Sequence, residues 1–524
     1  MKEISIYDST LRDGMQGETI SFTVADKLKI VTALDRLGVA YIEAGNPGSN
    51  PKDMEFFHQV HQLKLENAKF VAFGSTRRKN TPIAEDKNVA ALLEAGTEAV
   101  AIFGKSWDIH VTDIIKTTLE ENLRMIEETV AYFVAQEKEL IFDAEHFFDG
   151  YKANKDYALA SLEAAVSGGA HLLCLCDTNG GCTPGEIGEI VAVVKDRFPV
   201  PIGIHCHNDM GCAVANSLVA VENGATQVQG TYIGFGERCG NTNLSTIIGD
   251  LQLKMGYHCI PSENLHRLTK TAIQIADITN LALDNTMPYV GRSAFAHKGG
   301  MHIDGILKRT SSFEHIDPQQ VGNKRNFLLS EVSGKNAILT KLADIDPGLT
   351  KEAPETEELV QILKELEYEG YQFEAAMASF QLIVLKHLKR FHSYFQLERF
   401  KIVGEQQGAG RSDPSFAMVK IRVGDRSEIT AEEGDGPVHA LDKALRKAIE
   451  LFYPEMGSMR LIDYKVRVID PSKATATNVR VLIESSDGDS VWSTVGVSTD
   501  IINASLRALV DSIEYKLMKD HGAI

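Results

Sequence analysis

Along the first half of the chain, hydrophobic and polar positions repeat one arrangement. A short β-rich apolar run is followed by a polar turn and then by apolar residues spaced three and four apart. The runs are ISIYDST (4–10), YIEAG (41–45), KFVAFGS (69–75), AVAIFG (99–104), LIFDAEH (140–146), HLLCLCDT (171–178), PIGIHCH (201–207) and TQVQGTYIG (226–234). VADKLKIVTALDRLGV (24–39) carries the helical period and stops at Gly38. Strands alternating with helix-length segments predict a parallel sheet. Eight of them within residues 1–284 predict a closed TIM (β/α)8 barrel of the α/β class. A doubly wound open sheet fits less well, because the charged turn LRDGMQGE, and no G-x-G-x-x-G, follows the first run.

Beyond the barrel the texture changes twice. Residues 285–370 are expected to form a helical linker subdomain. It opens with the Gly- and His-rich segment NTMPYVGRSAFAHKGGMHIDGILK (285–308) and closes with the acidic helix KEAPETEELVQILKELEYE (351–369). Residues 371–524 carry the β-runs RFKIVGEQ, FAMVKIRV, YKVRVID and NVRVLIES with two long helices, which predicts a C-terminal α+β domain. GPVHALDKALRKAIE (436–450) and DIINASLRALVDSIE (500–514) align without a gap. They match at Ala440/Ala504, Ala444/Ala508, Leu445/Leu509, Ile449/Ile513 and Glu450/Glu514. An internal duplication of this kind suits a regulatory or dimerisation domain, and a homodimer is expected.

Composition narrows the class. At 524 residues the chain exceeds a single ordinary domain. A formal charge of −18 argues against a nucleic-acid surface and against binding to an anionic membrane. The start MKEISIYDST is already strand-like, and no apolar run reaches membrane-spanning length. The seven cysteines are odd in number and confined to the first half, which fits a reducing, cytoplasmic setting. Cys174 and Cys176 read as small buried apolar residues of a strand, rather than as a redox or soft-metal pair.

The chemistry gathers at the expected strand ends, which converge on one mouth in a (β/α)8 barrel. Asp13, His205, His207 and Asn241 combine an acid, two imidazoles and an amide. That set suits a divalent ion such as Mn, Mg, Zn or Co and leaves positions open for substrate. The spacing i, i+2 turns both histidines to one face of a strand and Cys206 away from them. Arg12 offers a planar fork for a carboxylate or an oxyanion, and Gln16 a hydrogen bond to ligand. Glu43 and Glu145 lie on strands where a carboxylate is costly unless paired or employed. Asp177 and Thr178 are expected to offer hydrogen-bonding groups to the same mouth. His110 and His146 read as structural. His297 and His302, in the Gly-rich segment, have the chemistry of a general acid or base.

DSTLRDGMQGE, HCHND, GERCGNTNL and HKGGMHIDG together resemble the isopropylmalate/homocitrate/citramalate synthase family, over nearly the whole chain. The resemblance implies metal-ligand positions at Asp13, His205, His207 and Asn241. It implies a keto-acid contact at Arg12, substrate contacts at Glu145 and Thr178, and a catalytic histidine at His302. Ser9 and Met15 depart mildly from the family's commoner residues, away from any ligand position. The implied reaction condenses acetyl-CoA with a 2-oxo acid, pyruvate first among the candidates. The C-terminal domain would then sense an end-product amino acid, isoleucine first among the candidates. Larger 2-oxo acids would use the same constellation, and lyases of the same barrel set generally lack the C-terminal domain. A biotin-dependent carboxyltransferase would need a lysine at the mouth, which no strand end is expected to supply. A non-catalytic amino-acid sensor would not need Arg12, Glu145 and a complete ligand set.

Overall fold

A computed structural model describes residues 2–48, 51–60, 63–327, 345, 354–404, 414–469 and 477–524. Eight parallel strands close into a barrel in sequence order. They are β1 (Ser5–Asp8), β2 (Tyr41–Gly45), β3 (Lys69–Ser75), β4 (Ala99–Lys105), β5 (Glu139–Glu145), β6 (Leu172–Asp177), β7 (Ile202–Cys206) and β8 (Ala225–Gly230). Every expected strand is present. The first and last end early, at Asp8 and Gly230. A Cβ on Gly230 would stand 2.3 Å from the Thr242 carbonyl oxygen, so the chain turns there around a close backbone crossing.

The first helix shows how local sequence sets the elements. α1 (Val24–Leu37) starts with a reciprocal capping box between Thr23 and Asp26 and stops at Gly38, whose φ of 101° favours glycine. Strand alternation fills the barrel interior with Tyr7, Val71, Ala99, Ala101, Ile141, Cys174 and Cys176. All seven cysteines are free thiols.

The contacts divide the chain into two units. The barrel unit holds residues 1–279, 283–294 and 316–324, and the second holds 280–282, 295–315 and 325–524. In the second unit, α2 (Gly300–Lys308) and α3 (Pro354–Glu369) precede α4 (Met377–His387). The expected acidic helix is there, although its first three residues, 351–353, lie outside the described residues. Two antiparallel three-stranded sheets follow, each leading into one helix. The first is β9 (Gln396–Gly404), β10 (Ser415–Val423) and β11 (Arg426–Gly434), leading into α5 (Pro437–Glu450). The second is β12 (Arg460–Val468), β13 (Val479–Ser486) and β14 (Val491–Ser498), leading into α6 (Ile501–Asp520).

The expected duplication is visible in the packing. Ala440, Ala444, Leu445 and Ile449 of α5 and Ala504, Ala508, Leu509 and Ile513 of α6 are all buried. Thr430 donates its hydroxyl to the Ala444 carbonyl at 2.6 Å, and Thr494 does the same to Ala508 at 2.7 Å. Each hydroxyl thus ties a final strand to a helix carbonyl fourteen residues on. The fifth pair has diverged. Glu450 is exposed, whereas Glu514 is buried and accepts from the Ser393 hydroxyl and the Tyr394 amide.

Candidate metal centre at the barrel mouth

β1 ends in a tight turn, and the amides of Arg12 and Asp13 both donate to the Ser9 carbonyl. This turn brings Asp13 beside His205. His205 lies on β7 and His207 just past it, and the chain after β8 returns so that Asn241 pairs with His207 in a backbone bridge. Residues 228 positions apart in sequence thereby meet. Asp13 Oδ2 lies 3.1 Å from His205 Nε2 and 3.9 Å from His207 Nε2. The two imidazole Nε2 atoms are 3.4 Å apart. Asp13, His205 and His207 can offer ligand atoms all within 4.8 Å of one another.

Asn241 reaches the same point with its nitrogen foremost, Nδ2 standing 3.1 Å from Asp13 Oδ2. A half-turn of the amide would bring Oδ1 to the front, as a cation would require. Asp13 Oδ1 and Asn241 Oδ1 are buried without a hydrogen-bond partner among the described residues. Asp13 Oδ1, and Asn241 Oδ1 once the amide is turned, are oxygens that a divalent cation beside the two imidazoles would satisfy. The donor set therefore fits the metal that the sequence implies.

The electrostatics are those of a charged cluster out of water. Burial pushes the Asp13 carboxyl up, but the Arg12 guanidinium and His205 overcome it and hold the carboxyl well below the usual range. Burial lowers His207 to about 4, with His205 acting in the same direction. For His205 burial also works downward, but the bond to Asp13 outweighs it and the imidazole is raised.

Around this cluster is a cavity of about 540 Å³ whose wall includes Arg12, Gln16, Glu145, Thr178, His205 and His207. Arg12 does not hang free. Its Nε and Nη2 fork onto buried Glu43 at 2.7 and 3.3 Å, and its Nη1 lies 3.4 Å from Asp13. Its guanidinium carbon sits 3.9 Å over the Phe73 ring. Glu43 also accepts from the Tyr7 and Ser9 hydroxyls, so its carboxylate is fully engaged in holding Arg12. Thr178 lines the cavity and takes the His146 amide on its hydroxyl. Gln16 is exposed at the rim.

Two expectations need correction. Lys105 does end a barrel strand, β4, and its ammonium pairs with Glu145 opposite it on β5. A lysine at the mouth is thus present, and Glu145 meets the cavity as half of an ion pair. Asp177 faces away from the cavity, because Cys176 takes the interior position beside it. Its carboxylate instead accepts the Gly181 and Cys182 amides and shapes the loop after β6. His302 is exposed on α2, its ring stacked 4.3 Å from that of Phe313 in the second unit.

Sequence reading also passed over Asp143, Gln227 and Gln229, all buried in the barrel. Their signal was available: polar side chains at alternate positions of an interior strand are costly unless paired. Lys27, paired with Asp53 at 2.7 Å on the cavity wall, was hidden by its place on an amphipathic helix.

A closed parallel barrel with an Asp/His/His cluster at its C-terminal mouth defines a barrel enzyme with a candidate cation centre. Residues 3–281 match the HMGL-like family, and residues 289–370 match the homocitrate synthase post-HMGL domain-like family. Residues 374–517 match the LeuA allosteric (dimerisation) domain. An (R)-citramalate synthase of Aquifex aeolicus is 52% identical, over 99% of this chain and 98% of its own. One of Geobacter sulfurreducens is 47% identical over the same shares. A 2-isopropylmalate synthase of Pseudoalteromonas atlantica is 30% identical, over 97% of this chain and 95% of its own. The chain belongs to the HMGL-like family, alongside the citramalate and isopropylmalate synthases.

Proposed function

We propose that this chain is an (R)-citramalate synthase, an acyltransferase that condenses acetyl-CoA with pyruvate and releases citramalate and CoA. The observation that carries the reading is the joining of Asp13, His205 and His207 at one cavity with Arg12, in a chain matched end to end by such synthases. Asp13, His205, His207 and, after its half-turn, Asn241 would hold a divalent ion, Mn, Mg, Zn or Co. When bound, that ion supplies Lewis-acid polarisation of a 2-oxo acid.

The protein's own groups do the rest. Arg12, braced by Glu43, presents its remaining N–H groups to the oxygens of the 2-oxo acid and stabilises the alkoxide that forms. Thr178 and Gln16 fix the substrate's orientation by hydrogen bonding. His302 is assigned as the base that takes a methyl proton of acetyl-CoA, a role resting on the sequence resemblance, with Glu145 assisting. The carbanion equivalent adds to the keto carbon, and water then cleaves the thioester and frees CoA. The C-terminal domain is assigned to feedback by isoleucine and to formation of a homodimer, with the LeuA-type match in support.

The test is CoA release, read with a thiol reagent, from acetyl-CoA and Mn or Mg with each of four acids. These are pyruvate, 2-oxobutyrate, 2-oxoisovalerate and 2-oxoglutarate. A strong preference for pyruvate is expected. Preference for a larger acid would keep the chemistry and reject the assigned substrate, and no release with any acid would reject the condensation itself.

A further inference from the structure

His205 is held from behind. On β8 its direct neighbour across the sheet is Gln229, and both side chains point into the barrel. Gln229 is wholly inaccessible, and Gln227 and Asp143 beside it are nearly so. A primary amide in such a place is tolerable only if its donors and acceptor are matched. They are. Gln229 Nε2 stands 3.3 Å from Asp143 Oδ1 and 3.2 Å from Gln227 Oε1, and its Oε1 stands 3.1 Å from His205 Nδ1. As a carboxylate, Asp143 can only accept. Two acceptors thus take the two N–H groups, and the amide oxygen is left facing the imidazole. In this arrangement His205 Nδ1 is the donor to the amide oxygen.

The consequence is a choice of tautomer. With Nδ1 donating to Gln229, the neutral ring has its lone pair on Nε2, the atom that faces Asp13 and His207. A reversed amide would donate to Nδ1, put the proton on Nε2 and block that nitrogen as a ligand. Ligating imidazoles are commonly oriented in this way by an acceptor on the far nitrogen. Here the acceptor is a neutral amide whose own orientation is set one step further back.

We propose that Gln229 is a positioning residue for the cation centre. It fixes the Nδ1–H tautomer of His205 and aims Nε2 at the cation, and Asp143 with Gln227 fixes Gln229. The inference rests on the reading of Asp13, His205 and His207 as cation ligands. It accounts for three buried polar side chains that the reaction itself does not use.

The experiment is Mn binding to the full-length chain, stripped with chelator and titrated calorimetrically, for the parent, Gln229→Leu and Gln229→Glu. Gln229→Leu is expected to weaken binding by roughly 10–100-fold. Gln229→Glu, which keeps an oxygen acceptor for Nδ1–H and can share a proton with Asp143 in place of the lost N–H, is expected to recover most of that loss. A folded Gln229→Leu that binds Mn as tightly as the parent overturns the proposal. A parent that binds no Mn rejects the ligand reading instead, so the two failures are distinct. Should Gln229→Leu not fold, a measurement on the parent decides. With zinc bound and histidine labelled with nitrogen-15, the His205 ring is expected to show a protonated Nδ1, its signal assigned by loss in His205→Gln. A bare Nδ1 there overturns the proposal.

Discussion

Phe73 and Phe103 stack at 5.3 Å between ring centroids, and both line the cavity that holds Arg12. If the 2-oxo acid docks on Arg12 as proposed, these two rings bound the space left for its side chain. Sterics of this kind discriminate by about 1–3 kcal/mol per methylene. Phe103→Ala is therefore expected to raise kcat/KM for 2-oxoisovalerate relative to pyruvate by roughly tenfold or more. An unchanged ratio in the CoA-release assay would place the acid elsewhere in the cavity. Asp8 makes a second residue-scale case. It is fully buried, one of its oxygens has no hydrogen-bond partner among the described residues, and burial pushes its carboxyl up to about 7. The folded chain therefore binds this proton more tightly than the unfolded chain, where the value is about 3.9. The stability from Asp8 is full below about pH 4 and is lost as pH rises through about 7. The total is at most about 4 kcal/mol. The urea midpoint of Asp8→Asn, which cannot titrate, should gain on the parent across that window and run parallel to it above pH 8. Parallel behaviour throughout would mean that Asp8 keeps its charge when buried.

At the scale of elements, the strand ends decide what meets. After β8 the chain returns so closely that a Cβ on Gly236 would stand 1.9 Å from Asn241 Oδ1. Turning the amide over leaves an atom in the same place, so Gly236→Ala must displace Asn241 either way. That variant is expected to retain the barrel's circular dichroism while losing Mn affinity by at least about tenfold. Unaltered binding would remove Asn241 from the ligand set. This return also marks how far sequence reading could go. Asp13, Arg12, His205 and His207 were legible because short local motifs carry them and barrel geometry collects strand ends. The pairing of Lys105 with Glu145, and of Gln229 with His205, depends on which residues sit opposite across closed strands. No single strand encodes that register. Asp177 shows the same limit in reverse, since reading the end of β6 one residue out exchanges interior for exterior.

At the scale of the molecule, the core of the second unit crosses the change in texture near residue 370. Leu359 and Leu363 of α3 are buried in one cluster with Phe373, Phe380, Val384, Val495 and Val497. Ile303 and Ile306 of α2 and Phe327 belong to that cluster too. A chain ending at residue 370 would keep Ile303, Ile306, Phe327, Leu359 and Leu363 and lose the side chains that cover them. Fully exposing one such side chain costs about 1.5–3 kcal/mol. Five of them, about 8–15 kcal/mol, match the whole stability of an ordinary domain. Deleting 371–524 is thus expected to give a protein that binds a hydrophobic dye and aggregates in gel filtration, and loss of isoleucine response in it would say nothing about an effector site. The informative change stays inside the regulatory fold. Thr430 and Thr494 tie sheet to helix at equivalent points of the two repeats. Thr430→Val and Thr494→Val remove one such bond each, at about 1 kcal/mol, and leave the shared cluster intact. If the C-terminal domain carries the isoleucine response, each variant should shift the concentration for half-inhibition while leaving uninhibited turnover near that of the parent. A soluble, dye-negative chain ending at 370 would refute the shared-core argument, and unshifted inhibition in both threonine variants would uncouple the repeats from feedback.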